Sequence, residues 1–256
     1  MVDKSTFLGI LIAFGGILAG LLMEGGRVSQ ILQPTAAIIV FSGTFGAVMV
    51  QFPMASILKA IKSLRLVIGE PKYDLEALIS ELVGLANKAR RNGIISLDSE
   101  LNTINNMFMR RSLMLAVDGT EPQELRKIME VEMEAKADDE ETIPRVYESA
   151  GGFAPTIGII GAILGLIQVM QHLEDIGEVG KGIAVAFVAT IYGLASANVL
   201  FLPSAGKLRT RFHVNQLMRE MTLQGVISIL EGMNPRMLEN KLRGFLADEQ
   251  KSSPSE

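Results

Sequence analysis

Residues 149–203 read SAGGFAPTIGIIGAILGLIQVMQHLEDIGEVGKGIAVAFVATIYGLASANVLFLP and contain two long apolar runs. A short acidic segment, EDIGEVGK, separates the runs, and no Asp, Glu, Lys or Arg occurs within Ser149–Leu173 or Gly182–Gly206. Each interval has room for the roughly 20 apolar residues that cross a hydrocarbon core of about 30 Å. The stretch therefore predicts two membrane-spanning helices joined by a tight turn.

Two further charge-free intervals, Ser5–Met23 and Val28–Leu58, lie near the start of the 256-residue chain. The chain has a mean hydropathy of +0.33 and only 20% charged residues, which is too apolar for an ordinary soluble domain. Lys4 precedes the first interval and no clear small-residue cleavage site follows it, so we interpret this interval as an uncleaved anchor. The sequence thus predicts an all-α integral membrane protein with four transmembrane helices.

Basic residues set the predicted orientation of these helices. Those that follow the second and fourth intervals are Lys59, Lys62, Arg65, Lys72, Lys207, Arg209 and Arg211. The short loops after the first and third intervals contain one basic residue each. Because basic residues near span ends stay in the cytoplasm, both termini and the long middle segment are predicted to be cytoplasmic.

The middle segment is predicted to form a helical cytoplasmic domain between the second and third spans. Asp74–Asn92 has apolar residues at helical spacing, and Gly93 stands where a C-terminal cap belongs. Ser96 is predicted to cap a second helix that extends to about Ala116. A third helix then leads to the third span.

The predicted domain organisation has four parts. Residues 1–54 hold transmembrane helices 1 and 2, residues 55–148 form the cytoplasmic domain, residues 149–206 hold transmembrane helices 3 and 4, and residues 207–256 form a cytoplasmic C-terminal helix with a disordered tail, KSSPSE.

Several classes of function lack the residues that they require. The chain has no cysteine, which excludes thiol catalysis and thiolate metal sites. Its two histidines, His172 and His213, lie on opposite sides of the membrane in the predicted topology and cannot share a site. No nucleophile has an evident base partner, and no dense basic stripe with aromatic residues occurs. We therefore predict no enzyme activity, no metal or cofactor, and no nucleic-acid partner.

The predicted spans also lack the side chains that usually conduct ions. Proton and cation pathways through bilayers use ionisable residues buried among the helices, yet all four intervals lack Asp, Glu, Lys and Arg. If an ion crosses the membrane at this protein, another chain must supply the carboxylate.

Small residues line one face of each of the last two spans. They are Pro155, Gly158, Ala162 and Gly165 on the third span, and Ala186, Thr190, Gly193 and Ala197 on the fourth. Such faces are ordinary packing surfaces between helices of one chain, and they also let a helix of another chain approach. The spacing alone leaves both interpretations open.

Three segments carry a resemblance to a known family. They are ARRNGIISLDSE at residues 89–100, GGFAPTIGIIGAILGLI at residues 151–167 and ATIYGLASANVLFLPSAGKL at residues 189–208. Together with the order of the spans, they resemble the A subunits of flagellar motor stators, the MotA/PomA family, over nearly the whole chain. The resemblance implies a bacterial inner-membrane protein in which five A chains surround two MotB/PomB-like chains, each with one span and an intramembrane aspartate. Ion flow is implied to turn the A ring, whose cytoplasmic domains push on the rotor protein FliG.

The resemblance also implies roles for individual residues. The positions implied for torque coupling are Pro155 and Pro203, those for rotor contact are Arg90, Arg91, Asp98 and Glu100, and those along the ion pathway are Pro155, Gly158, Ala162, Thr190 and Gly193. Asp98 stands where the family commonly has Glu, which shortens the reach but keeps the charge. Ala162 stands where sodium-type members typically have threonine. Because hard cations such as sodium need several oxygen ligands, we predict proton coupling.

Two alternatives remain beside the stator function. One is an energiser of outer-membrane processes similar to ExbB or TolQ, although those relatives typically have three spans and an outside N-terminus. The fourth charge-free interval and the predicted inside N-terminus argue against it. The other alternative is a non-conducting membrane scaffold whose small-residue faces only pack.

Overall fold

The computed structural model of the protein describes residues 3–70 and 73–252, which are almost entirely helical. The α-helices are α1 (Lys4–Met23), α2 (Pro34–Gln51), α3 (Met54–Ile68), α4 (Leu75–Asn92), α5 (Met107–Val117), α6 (Pro122–Gln171), α7 (Ile176–Ala195), α8 (Leu202–Leu230) and α9 (Pro235–Ser252). Short 3₁₀ segments occupy Val28–Ile31 and Ile94–Glu100, and a π-helical segment, Ser196–Phe201, joins α7 to α8. The predicted all-α class is confirmed.

Four helical segments are long and apolar enough to cross a membrane. They are α1, α2, α6 and the continuous helical run Ile176–Leu230, which comprises α7, the π-helical segment and α8. Large apolar side chains are exposed along them, including Val50 at 91% and Phe187 at 68%. Such exposure suits contact with lipid or with another chain in the membrane. The prediction of four transmembrane helices is therefore confirmed.

The chain divides into two compact units. The first unit consists of the described residues 3–70 with 140–210, and the second of 73–139 with 211–252. The first unit includes α3, and the domain boundary that the sequence predicts at 54–55 falls at the first residue of this helix. A physical reason lies in the packing of α3: its residues Ile57 and Ala60 are buried, and the Tyr147 hydroxyl of α6 donates a hydrogen bond of 2.8 Å to the Ala60 carbonyl.

The other two divisions fall inside helices α6 and α8. They lie between residues 139 and 140 and between residues 210 and 211, whereas the sequence placed boundaries at 148–149 and 206–207. The predicted third cytoplasmic helix and the third span form one continuous helix of 50 residues, α6, which contains Pro144 and Pro155.

In the first unit, α2 packs against α7. Ala36 and Val40 of α2 form a buried cluster with Val188 and Ala189 of α7. The Tyr192 hydroxyl of α7 donates a hydrogen bond of 2.5 Å to the Ile31 carbonyl. By contrast, α1 contains no buried residue along its described length.

The second unit encloses a conventional apolar core. Residues that are fully or almost fully buried there include Leu82, Met109, Leu113, Met221, Val226, Leu238 and Leu242. The predicted amphipathic helix at 74–92 is confirmed as α4, and the side chain of Asp74 caps it by accepting from the Ala77 amide at 2.8 Å. Gly93 ends the helix with φ +82°, a conformation that glycine adopts readily.

The predicted helix from Ser96 to about Ala116 is wrong in its first half. Residues Ile94–Glu100 form the 3₁₀ segment, and α5 begins at Met107. The hydroxyl of Ser96 donates back to the Gly93 carbonyl at 2.7 Å, so it does not cap a following helix. Asn106 is the cap instead, because its side-chain oxygen accepts from the Phe108 amide at 3.0 Å.

At the C-terminus, α9 continues to Ser252. The helix therefore includes the first two residues of the KSSPSE tail that the sequence predicts to be disordered. Residues 253–256 of that tail, and Lys72 of the predicted basic cluster, lie outside the described residues.

Candidate functional site

The small-residue faces of α6 and α7 contact each other. A Cβ atom added at Gly193 would lie 2.5 Å from the Ala154 carbonyl oxygen, and one added at Gly158 would lie 2.9 Å from the Ala189 carbonyl oxygen. Side-chain carbons do not approach backbone atoms this closely, so only glycine fits at these two positions without a shift of the helices. Gly158 and Gly193 are accordingly buried.

The same close approach continues along the two helices. A Cβ atom added at Gly165 would lie 2.7 Å from the Gly182 carbonyl oxygen and 2.8 Å from the Ala186 amide nitrogen. Of the two interpretations left open by the spacing, packing within the chain thus describes Gly158, Gly165 and Gly193. These glycines can affect a pathway only by setting the separation of α6 and α7.

Three of the predicted pathway residues lie at the edge of this contact. Pro155, Ala162 and Thr190 are half-buried rather than enclosed. On α6, Ile159 lies one turn from Pro155 and is 54% exposed; on α7, Phe187 lies one turn from Thr190. The edge therefore continues into an open apolar surface, on which a helix of another chain can pack.

Thr190 contributes the one hydroxyl among the predicted pathway residues. Its Oγ1 donates to the Ala186 carbonyl of its own helix at 3.2 Å, which is the usual local bond of a threonine in a membrane helix. The oxygen keeps its lone pairs for a further donor. Ala162 offers no polar atom on its side chain.

The segments that carry Pro155 and Pro203 meet in the first unit. Pro155 has no N–H, so the Gly151 carbonyl one turn earlier lacks its usual helical donor. Gly151 is buried, and a Cβ atom added there would lie 2.6 Å from a methyl carbon of Leu202, the residue before Pro203. Two prolines that the sequence separates by 48 positions thus lie beside one contact.

Pro203 also explains the π-helical segment before it. A proline nitrogen cannot donate to the carbonyl four residues earlier, and its ring crowds that carbonyl. In Ser196–Phe201 the helix is widened, and the Leu202 amide donates to the Ala197 carbonyl, five residues earlier. Such π-helical turns often occur at functional positions.

An ion pair close to Pro203 was not predicted from the sequence. Lys207 of α8 forms an ion pair with Asp3 and also donates to the Thr6 hydroxyl. The hydrogen bond from Lys207, and secondly one from Ser5, hold the pKa of Asp3 well below its usual range. Asp3 also caps α1, because it accepts from the Ser5 amide at 3.0 Å. A possible signal in the sequence is the helix-capping pattern Asp3-Lys4-Ser5 before an apolar run.

The predicted rotor-contact residues lie in the second unit. Arg90 and Arg91 occupy the last turn of α4 and are exposed, as is Asp98 in the following 3₁₀ segment. Within the described part of the chain, neither arginine forms an ion pair. Glu100 differs from Asp98 because it pairs with Lys88 of α4.

No cluster of three or more histidine, cysteine, aspartate or glutamate side chains suited to a metal ion occurs among the described residues. The ring Nδ1 of His172 lies 3.0 Å from the Gln168 carbonyl oxygen of its own helix, and His213 is exposed.

Comparisons with known proteins agree over nearly the whole length of the chain. Residues 100–221 match the MotA/TolQ/ExbB proton channel family, and residues 7–93 match the motility protein A N-terminal family. Motility protein A of Bacillus subtilis is 35% identical over 246 residues, which cover 96% of this chain and 91% of that protein.

Two solved structures are also similar. The flagellar MotAB stator complex from Bacillus subtilis contains a chain that is 34% identical, with a TM-score of 0.89 and coverage of 99% of this chain and 100% of that one. A chain of C. jejuni MotAB is 31% identical, with a TM-score of 0.89 and coverage of 95% of both chains.

Proposed function

Because this chain belongs to the MotA/TolQ/ExbB proton channel family, we propose that it is the A-type subunit of a flagellar motor stator. With a MotB-like partner it forms an ion channel and converts ion flow into torque on the rotor. The observation that carries this proposal is the match, over 99% of the chain, to a subunit of a flagellar MotAB stator complex. The protein is not an enzyme, and it needs no cofactor for this function.

The four spans explain why a partner is needed. Each is free of Asp, Glu, Lys and Arg in its apolar interval, so the chain offers no intramembrane carboxylate of its own. The partner's single helix supplies an aspartate and packs against the edge of the α6–α7 contact. Pro155, Ala162 and Thr190 face that helix, while Gly158 and Gly193 fix the spacing of α6 and α7 behind it.

The side chains along this edge favour protons over sodium. A proton requires only the partner's carboxylate, whereas a sodium ion requires several oxygen ligands to replace its hydration. Ala162 provides none, and Thr190 provides a single hydroxyl oxygen, which is fewer ligands than a sodium ion needs. We therefore assign proton coupling to this chain.

Torque passes from the membrane helices to the rotor through two prolines and a group of charged residues. Pro155 and Pro203 lie beside the contact of Gly151 with Leu202, where both helices lack a regular hydrogen bond. Arg90, Arg91 and Asp98 then present charges to FliG, together with Glu100, whose carboxylate is shared with Lys88. In this assembly five copies of the chain surround two partner chains.

The protein resides in the bacterial inner membrane with both termini in the cytoplasm. Basic residues after α2 and in α8, among them Lys62, Arg65 and Lys207, support this orientation. The second unit, 73–139 with 211–252, is then cytoplasmic, where the rotor lies.

The test is complementation of a motile bacterium that lacks its own stator. The chain is expressed with a MotB-like partner, and swimming and membrane ion conductance are both measured. The stator function predicts that both appear, and that replacing the partner's intramembrane aspartate with asparagine abolishes both. Assembly with the partner without any conductance would instead support the non-conducting scaffold.

A different measurement distinguishes the stator function from the energiser alternative. An ExbB- or TolQ-like protein would restore an outer-membrane process in cells that lack those proteins and would leave swimming unchanged. The whole-length similarity to motility protein A supports the stator over this alternative.

A further inference from the structure

A small pocket, lined mainly by apolar residues, opens beside Arg90 in the second unit. Its volume is about 190 Å³. One wall comes from the last turns of α4, another from Ile94, and the third from the end of α8 and the loop that follows. The residues that line it are Ala86, Ala89, Arg90, Ile94, Ile229, Leu230, Gly232 and Met233.

The pocket has a firm floor because it lies at the edge of the core of the second unit. Ala86 and Ile229 belong to that core and are only 3% and 5% exposed. Ala89, Ile94 and Met233 pack against the same core but remain half-buried. Apolar surface therefore reaches the solvent at this point.

The loop that forms one wall is held by backbone hydrogen bonds. The Met233 amide donates to the Ser228 carbonyl at 2.9 Å, and the Gly232 amide donates to the Ile229 carbonyl at 3.0 Å. This pair of bonds is the Schellman arrangement that ends a helix, and it requires the positive φ of +73° at Gly232. The wall is thus fixed before any partner binds.

Arg90 lines the pocket, and among the described residues neither it nor Arg91 forms an ion pair. Arg90 and Arg91 stand at the C-terminal end of α4, where the helix dipole favours cations. Two other basic side chains of the second unit are engaged: Lys88 pairs with Glu100, and Arg243 pairs with Glu76. An arginine that forms no ion pair among the described residues, next to apolar surface, is complementary to a carboxylate beside an apolar side chain.

We propose that this pocket receives an apolar side chain of the rotor protein, next to a rotor carboxylate that pairs with Arg90. The inference rests on the proposed stator function and defines the rotor segment as one that carries a carboxylate beside an apolar side chain. An exposed ion pair alone contributes little to binding because both groups remain hydrated. Residues that dominate binding are typically buried in a pocket and surrounded by polar contacts that exclude water.

The main test fills the pocket without changing any charge. Ala89→Leu places a larger side chain in the pocket, and Ala77→Leu, on an exposed position of the same helix, is the matched control. Binding of the purified rotor protein to the detergent-solubilised complex of this chain and its partner is measured. We expect Ala89→Leu to bind the rotor protein at least about tenfold more weakly, which is the usual scale for a dominant contact. Ala77→Leu should bind it with unchanged affinity. Unchanged binding of a folded Ala89→Leu complex would overturn the proposal.

A cross-linking experiment covers the case in which Ala89→Leu unfolds. The chain has no cysteine, so Ala89→Cys introduces a single reactive thiol. A short bifunctional reagent should join this thiol to the rotor protein, whereas Ala77→Cys should give no product. Absence of the Ala89→Cys product in a motile strain would reject the pocket as a contact site.

The stator function and the pocket contact can be tested separately. If the unsubstituted chain and its partner neither conduct ions nor restore swimming, the stator function fails. If they do both, and Ala89→Leu swims and binds the rotor like the unsubstituted chain, only the pocket proposal fails.

Discussion

Gly158 of α6 and Gly193 of α7 meet backbone to backbone. A Cβ atom added at Gly158 would lie 3.3 Å from the Gly193 Cα, and one added at Gly193 would lie 3.2 Å from the Gly158 Cα. Apolar side chains gain little free energy when they leave lipid for a contact between helices. Close approach of the backbones is therefore a main source of helix association in a membrane. The pair therefore fixes the two helices on whose edge the pathway residues lie.

The first prediction is that Gly193→Ala separates α6 from α7. The added methyl group must displace the Ala154 carbonyl, and overpacking of this kind typically destabilises by about 1–3 kcal/mol. Thermal unfolding in detergent and ion conductance should both fall. Gly46→Ala is the control, because nothing lies within 4 Å of a Cβ atom at that exposed position of α2. Equal stability of the two variants would contradict the packing role of Gly193.

Most of the membrane fold could be predicted because its signal is simple. An uncharged run of some 20 residues can adopt few structures in a bilayer. The four intervals therefore located the spans directly. The ends of the long helices were harder. Pro155 was expected at the start of the third span, yet α6 continues through it, as it does through Pro144. Packing by neighbouring helices compensates for a missing hydrogen bond, and a local pattern does not reveal such neighbours.

The candidate site could be predicted only in part, for a related reason. The small-residue spacing identified Gly158 and Gly193, but whether they face this chain or another depends on how α6 and α7 cross. The pairs Asp3–Lys207 and Lys88–Glu100 join residues on different elements, so no spacing rule predicts them. Ser96 and Asn106 both have side chains that can cap a helix, so the residue types alone did not show that the cap is Asn106, ten residues later.

The second prediction concerns Pro155, which lies inside α6. Replacing it with alanine restores a donor for the Gly151 carbonyl and removes a cost that reaches about 3 kcal/mol for proline in a helix interior. The protein should therefore remain folded or become more stable, while torque is lost. Swimming speed and thermal unfolding are measured together. Pro144→Ala, at a buried proline of the same helix, should keep swimming; a fully motile Pro155→Ala strain would remove Pro155 from torque coupling.

The third prediction is that motility does not require sodium. Swimming is recorded while external sodium is varied at constant proton-motive force, and we expect no change because the Ala162 side chain offers no ligand. Ala162→Thr adds one hydroxyl opposite the partner helix and tests whether sodium then affects the speed. A strict sodium requirement in the unsubstituted protein would refute proton coupling.

The fourth prediction follows from the lowered pKa of Asp3. A carboxyl group whose pKa is lower in the folded state than the unfolded value of about 3.9 stabilises the fold above that value. This contribution is lost as the pH falls through the lower pKa of the folded state. Asp3→Asn should therefore reduce thermal stability by a similar amount between about pH 5 and pH 8, and the difference from the unsubstituted protein should shrink below about pH 4.

The control for this experiment is Asp175→Asn. Asp175 caps α7 by accepting from the Gly177 amide at 2.8 Å, so asparagine preserves the capping there as it does at position 3. Among the described residues, Asp175 forms no salt bridge of the kind that joins Asp3 to Lys207. A difference for Asp3→Asn that does not change with pH would show that the charge of Asp3 is not involved.

The fifth prediction is that Arg90→Glu weakens the contact with the rotor without affecting ion conductance. Arg90 is exposed at the end of α4 and forms no ion pair in the described chain, so its reversal disturbs no internal bond. One exposed pair contributes about 0.2–1 kcal/mol, which is less than a tenfold change in binding. Swimming should be reduced rather than abolished, and an acidic-to-basic change on the rotor should restore part of it. Lys127→Glu reverses a charge on α6 whose exposed ion pair, with Glu124, lies within the same helix, and it should leave swimming near normal. A fully motile Arg90→Glu strain would reject the contact.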